Sequence, residues 1–297
     1  MKKILPILTG MTFCMVFCLM ISSCRQQESS GWTPLLDKDL SQWNMYLGYK
    51  LYNGYHGEYP LDANGDSIPP VGYNNNKAGV FTVTEENGNP VLHISGEYYG
   101  CVFTKKDYQN YDFKLKVKWG TEKWEPRINL LKDSGILYNS IGECGKDYWR
   151  AWMVSQEFQV MRGHMGDFWN TAGSAIDIRA YIPEGVMNPL ASNTQSFIPI
   201  GTASKYGGFC MHTADYEKPE GEWNELELIQ FGDKSLHIVN GHVVMVLQNS
   251  RLVKDGKTIP LIKGKIQLQS EASEVYYKDI MIRPIDAIPE QYASLFQ

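Results

Sequence analysis

Residues 112–119, DFKLKVKW, alternate apolar and charged side chains over the full length of a strand. Phe113, Leu115, Val117 and Trp119 fall on one face, and Lys114, Lys116 and Lys118 on the other. A half-buried antiparallel strand requires that period of two, and a 3.6-residue helix does not satisfy it. VFTV, PVLHI, CVFT, GILYN, SQEFQVM, WNELELIQF, SLHIVN, HVVMVL and GKIQLQS also read as short strands bounded by turn residues. Asn240-Gly241 is placed to form the hairpin turn between two of them. Little of the chain repeats at helical spacing, so the expected fold is all-β, two sheets packed as a sandwich.

The first residues read as an export segment. Lys2 and Lys3 precede an uncharged run from Ile4 to Ile21, and Ile21-Ser22-Ser23-Cys24 fits a bacterial lipoprotein cleavage site. The expectation is a signal peptide over 1–23, a lipidated Cys24 opening a polar tether over 24–30, and a single catalytic β-sandwich over 31–297. The lipid would hold an exported protein at the outer membrane, on its periplasmic or its cell-surface face. A retained signal anchor is the competing reading. Over 297 residues the formal net charge is −5, with no basic block or Arg-rich aromatic platform, which argues against a nucleic-acid partner. Oligomeric state stays open. With Cys24 lipidated, Cys101, Cys144 and Cys210 are an odd set. They allow at most one intramolecular disulfide, and their spacing lacks a CxxC-type metal signal.

Two stretches depart from the strand pattern, a Gly/Tyr/Asn/Pro-rich one at 48–79 and a Pro/Gly/Ser/Asn-rich one at 181–221. Both are expected as loop excursions, the first giving tyrosines to a carbohydrate-binding rim and the second covering one end of a cleft. Asp62, Asn64 and Asp66 imitate the start of a calcium loop. Ser67 stands where that loop needs glycine, and Tyr73 where it needs glutamate, so an Asx-rich turn is the ordinary explanation.

Candidate chemistry concentrates in SQEFQVMRGHMGDFW, residues 155–169. Glu157 and Gln159 share a strand face, about 6.6 Å apart. Glu157 can be a general base, a metal ligand or a hydroxyl acceptor, and Gln159 can donate and accept hydrogen bonds. His164 can carry a proton near neutral pH or bind a metal, Asp167 can orient it, and Trp169 can stack on a sugar ring. The bland alternative is a solvated polar pair, a turn histidine and a core tryptophan. A second polar group comes from Arg127, Asp133 and Glu143. Arg127 can bind hydroxyls or balance carboxylates, whereas Asp133 can equally cap a turn and Glu143 be a solvated loop residue. His212 falls in the second excursion, where a structural hydrogen bond competes with a role in the site. The Glu157, Gln159, Met161 alternation does not supply two carboxylates on one strand. A two-carboxylate glycosidase would therefore draw its second group from elsewhere, Asp133 or Glu143. GxSxG, P-loop and dinucleotide motifs are absent, so no nucleotide cofactor is expected.

The order and spacing of GWTPLLDKDLSQW, YQNYDFKLKVKW, KDSGILYN, SQEFQV, GEWNELELIQFGDKSLHIVNGHVV and GKIQLQSEASEVYYKDIMIRPI resemble the 3-keto-disaccharide hydrolase family, from about Gly31 to Pro284. The resemblance implies a concanavalin- or laminarinase-like jelly roll and cleavage of glycosides already oxidised at C3, with an oxidised di- or oligosaccharide or another glycoside as substrate. A C3 ketone acidifies the C2 hydrogen, a base removes it, and the glycosidic oxygen leaves; adding water to the product completes net hydrolysis. A divalent cation or Arg127 can stabilise the enolate oxygen. The family's DSGI motif maps onto residues 133–136 and its Glu-x-Gln strand onto Glu157–Gln159. On this reading Glu157 and His164 form the acid/base or metal-binding pair, while Asp133, Arg127 and Gln159 hold substrate, ion or the opposing side chain. A conventional glycoside hydrolase and a non-catalytic carbohydrate-binding lipoprotein are the alternatives.

Overall fold

The alternation at 112–119 lies inside one long strand, Tyr111–Lys123, whose Phe113, Leu115, Val117 and Trp119 are buried while the intervening lysines are half-buried. This computed structural model describes Met1, residues 31–146 and residues 148–297. The expected cleavage site, Cys24 and the tether lie outside the described residues. Among those described, no helix is long and apolar enough to cross a membrane.

Residues 31–297 form two large antiparallel sheets. One has twelve strands, with Tyr111–Lys123 between Asn224–Phe231 and Ser273–Pro284. The other has eight, with Asp133–Ile141 at its centre between Val154–Met161 and Lys265–Ser270. Their inner faces share one core: Phe113, Leu115, Val117 and Leu228 from the first sheet meet Val102, Ile136, Phe158, Val160 and Leu268 from the second. The expected all-β jelly-roll sandwich is the fold observed. Each segment read as a strand lies on one, and Asn240-Gly241 turns with positive φ at both positions, 49° and 83°. That is the combination a two-residue hairpin loop of this kind needs.

The excursions are more integrated than their composition suggests. Within 181–221, Phe197–Gly201 pairs along Ser174–Tyr181, and Phe209–Cys210 extends the eight-stranded sheet beside Phe168–Thr171. Within 48–79, Tyr49, Leu51 and Tyr55 are buried. They join a second apolar cluster with Tyr46, Tyr99, Cys101, Phe103, Leu137 and Trp152, on the side of the eight-stranded sheet away from the shared core. Tyrosine-rich loops of this kind bury ring area while exposing a polar tip, which explains a loop-like composition over a packed segment. The Asp62 carboxylate accepts from the backbone N–H of Asn64 at 2.8 Å and of Asp66 at 2.9 Å, so it closes an Asx turn.

Candidate active site

The period of two along Val154–Met161 sends Phe158 and Val160 into the core and turns Glu157, Gln159 and Met161 to the opposite face. Register sets their neighbours. Trp169 lies opposite Glu157 on one side, and Leu137, Gly135 and Asp133 lie opposite Glu157, Gln159 and Met161 on the other. Asp133 in turn bridges to Glu271, just past the Lys265–Ser270 strand. Three strands thus bring three carboxylates, Asp133, Glu157 and Glu271, to one polar floor. Gly135 makes the convergence possible. A β-carbon there would lie 2.7 Å from Glu157 Oε1 and closer still to Gln269 Oε1. We expect Gly135→Ala to cost about 1–3 kcal/mol through overpacking and, by displacing Glu157, to lower turnover at least tenfold. Thermal melts and steady-state rates check it, and a variant equal to the parent in both would remove Gly135 from the site's construction.

The floor opens into a pocket of about 480 Å³. Tyr55, Tyr99, Trp149 and Trp152 contribute aromatic wall, as does Trp169; Pro126, Leu130 and Met161 add apolar surface. Arg127 is the sole Arg or Lys among the lining residues. Its Nη2 reaches Glu271 Oε1 at 2.9 Å and also pairs with Asp133 Oδ2, while Gln159 Nε2 donates to Asp133 Oδ1 at 2.9 Å. Asp133 is therefore clamped from two sides. Glu157 meets no guanidinium; the Thr171 hydroxyl donates to its Oε2 at 3.4 Å.

The electrostatics follow from burial and crowding. Burial raises the Glu157 carboxyl well above the usual carboxylate range, and the Glu271 and Asp133 charges raise it further. Asp133 is raised by burial and by Glu271, against the pull of Arg127; Glu271 is raised by burial, with Arg127 opposing. Burial alone would lower Arg127, but Glu271 and Asp133 outweigh it and hold the guanidinium above its ordinary range. Three acids facing one fixed cation favour keeping at least one proton, and Glu157, lacking Arg127, is the natural holder. Arg127 Nε, Gln159 Oε1 and both amide atoms of Gln269 are buried with no hydrogen-bond partner among the described residues. A floor offering spare donors and acceptors together suits a polyhydroxylated ligand.

The structure thus gathers Arg127, Asp133, Glu157, Gln159 and Trp169 in one pocket. It does not bring His164, Asp167 or His212 into the same lining. Those three form their own cluster: the buried Asp167 carboxylate meets His164 Nδ1 at 2.9 Å through Oδ2 and His212 Nδ1 through Oδ1, and accepts the His212 backbone N–H at 2.7 Å. Burial pulls the His212 imidazole down, but the Asp167 hydrogen bond and charge outweigh it, leaving it above its ordinary value. The tight turn after Met161 causes the separation. His164 N–H bonds to Met161 O at 2.9 Å, and Met165 plugs into the sandwich core, so the chain reverses before it can extend the Glu157 face. His164 accordingly lies outside the lining that holds Glu157, and its side-chain partner is Asp167. Glu143 stands apart as well, exposed and paired with Lys146 at 3.6 Å. Among the described residues, no three His, Cys, Asp or Glu side chains are grouped so as to hold a metal ion.

Glu271 and Gln269 are the floor residues the sequence reading missed. Their signal was present: Gln267, Gln269 and Glu271 recur every second position along and just past the Lys265–Ser270 strand, alternating with the apolar Ile266 and Leu268.

The chain is similar to two Parabacteroides distasonis structures provisionally described as glycosyl hydrolases. One is 18% identical over 86% of this chain and 99% of that one, with a TM-score of 0.45; the other is 19% identical over 88% and 97%, with a TM-score of 0.48. It is also similar to a carbohydrate-binding module from Bacillus subtilis, at 7% identity, 68% and 91% coverage and a TM-score of 0.38. No curated protein matches the sequence. The sequence profile of the 3-keto-alpha-glucoside-1,2-lyase-like domain matches residues 31–283, and the chain belongs to that carbohydrate-active family.

Proposed function

We propose that the protein cleaves 3-keto-glycosides, including 3-keto-disaccharides, by removing the C2 proton and eliminating the glycosidic oxygen. The observation that carries the reading is the arrangement of Asp133, Glu157 and Glu271 around Arg127 beneath aromatic walls. Arg127 biases the two carboxylates it touches toward ionisation, and Glu271, less tightly held than Asp133, is the better-placed base for C2–H. Electrons released from that bond pass into the C3 ketone as an enolate, whose oxygen can take the unpartnered Arg127 Nε–H. The enolate then expels the C1 substituent while protonated Glu157 supplies the proton to the departing oxygen. Addition of water across the new double bond completes hydrolysis, with no net oxidation in either step. Gln159 and Gln269 hold sugar hydroxyls, and Trp169 offers a ring face. Each step uses side chains of this chain alone.

The test incubates the purified full-length protein with matched native and 3-keto-disaccharides, with and without chelator, and follows products by mass spectrometry. The expected result is consumption of the keto form alone, with an unsaturated keto sugar or its hydrate appearing beside the free leaving group. Deuterium at C2 should be lost and should slow the rate. Cleavage of the native glycoside would replace this reading with a conventional hydrolase. Retention of an intact keto-glycoside would replace it with a binding protein.

A further inference from the structure

Cys101 and Cys144 are 43 positions apart in sequence, yet their sulfur atoms lie 3.7 Å from each other in a buried apolar cluster. Cys101 sits on the strand Gly100–Thr104, whose side chains alternate between the core and the outer face of the eight-stranded sheet. Cys144 belongs to the segment after Ile141 that leads to Trp149 and Trp152 in the pocket wall. Gln267 Oε1 lies 3.2 Å from the Cys101 sulfur and 3.9 Å from that of Cys144, and the Cys144 backbone N–H donates to Tyr73 Oη at 2.7 Å. Contact between two buried thiols is ordinary packing when one partner sits on a flexible loop. Here the strand fixes one and the Tyr73 contact holds the backbone of the other.

We propose that Cys101 and Cys144 are a disulfide-forming pair, which under oxidising conditions staples the aromatic wall of the pocket to the sheet beneath it. This stands independently of the catalytic reading. Formation proceeds by thiol exchange with a disulfide oxidant. One cysteine thiolate attacks oxidised glutathione, the glutathione S–S bond breaks, and one reduced glutathione leaves. The second thiolate then displaces the other glutathione as the Cys101–Cys144 bond forms. The two thiol protons end on the two departing glutathione thiolates, and two electrons pass to glutathione. Both thiols are closed off in the folded chain, and burial raises the Cys101 thiol well above its ordinary range. Oxidation is therefore fast during folding and slow afterwards. Cys210, buried in a different cluster, is the internal control.

The test reduces and unfolds the full-length protein, refolds it in a series of glutathione redox buffers, alkylates all remaining thiols under denaturing conditions, and maps the peptides. The expected product is a single linked peptide pair containing Cys101 and Cys144, two hydrogens lighter than the reduced pair, with Cys210 alkylated. The oxidised form should melt about 5–10 °C above the reduced one. In the Cys101→Ser/Cys144→Ser variant the melting temperature should not respond to redox buffer. Folded protein with both cysteines alkylated at every ratio would overturn the proposal, and so would linkage of either to Cys210 or to a cysteine of the first 30 residues.

Discussion

A Glu157→Gln protein is expected to keep its fold, lose about a thousandfold in kcat on a 3-keto-glycoside, and gain melting temperature over the parent as pH rises. The amide preserves the shape of the carboxyl and can still accept from Thr171, so the packing around Phe158 and Val160 is untouched. What disappears is the proton. Burial, followed by the Glu271 and Asp133 charges, raises the folded-state Glu157 carboxyl above its unfolded value. A raised carboxyl contributes stability that is complete below the unfolded value and is lost as pH rises through the folded one. Glutamine carries no such loss. The two proteins should therefore melt together near pH 4 and diverge above it, with the variant higher. Wild-type kcat should fall only as pH rises through the raised folded-state value, because general acid catalysis needs the proton that is lost there. Thermal melts and a pH–rate profile read the two consequences separately. An unchanged kcat would remove Glu157 from the chemistry. A variant that melts lower at all pH values would mean that the carboxylate is ionised and favourably held.

The strands were legible because a half-buried sheet writes its geometry into sequence with period two. DFKLKVKW announces its own faces, and the Glu157–Gln159 face is visible on SQEFQVM for the same reason. Side chains brought together by register are a different matter. Asp133 and Glu271 touch the same guanidinium only because one strand separates from another far along the chain and returns beside it, and no local pattern records that pairing. Sequence proximity also misled. His164 follows Glu157 closely, but the turn at Gly163–Gly166 reverses the chain, and the histidine pairs with Asp167 instead. The apolar loop residues Tyr49, Leu51 and Tyr55 were hidden for a compositional reason, since glycine and asparagine around them read as loop whatever the tyrosines bury.

Arg127→Met is the substitution expected to damage stability most. Methionine keeps much of the apolar stem, so the change isolates the charge. In the parent, one guanidinium serves Asp133 and Glu271, both buried, and opposes the rise that burial imposes on each. Without it, two carboxylates face each other and Glu157 with no Arg or Lys in the lining. Leaving a buried charge uncompensated costs about 3–5 kcal/mol, or roughly 6–15 °C in Tm for a domain of this size. The penalty must depend on pH, because both carboxyls titrate higher still once Arg127 is gone. Such raised groups are stabilising while protonated and lose that stability as pH climbs, so the deficit should be large at pH 8 and shrink toward pH 5. Adding Asp133→Asn should recover part of the loss at pH 8 by removing one of the opposed charges, although turnover should stay low because the enolate oxygen has lost its Nε–H donor. A deficit of equal size at both pH values, unrelieved by the second substitution, would mean that Arg127 matters for its packing and that the three carboxyls are already neutral in the parent.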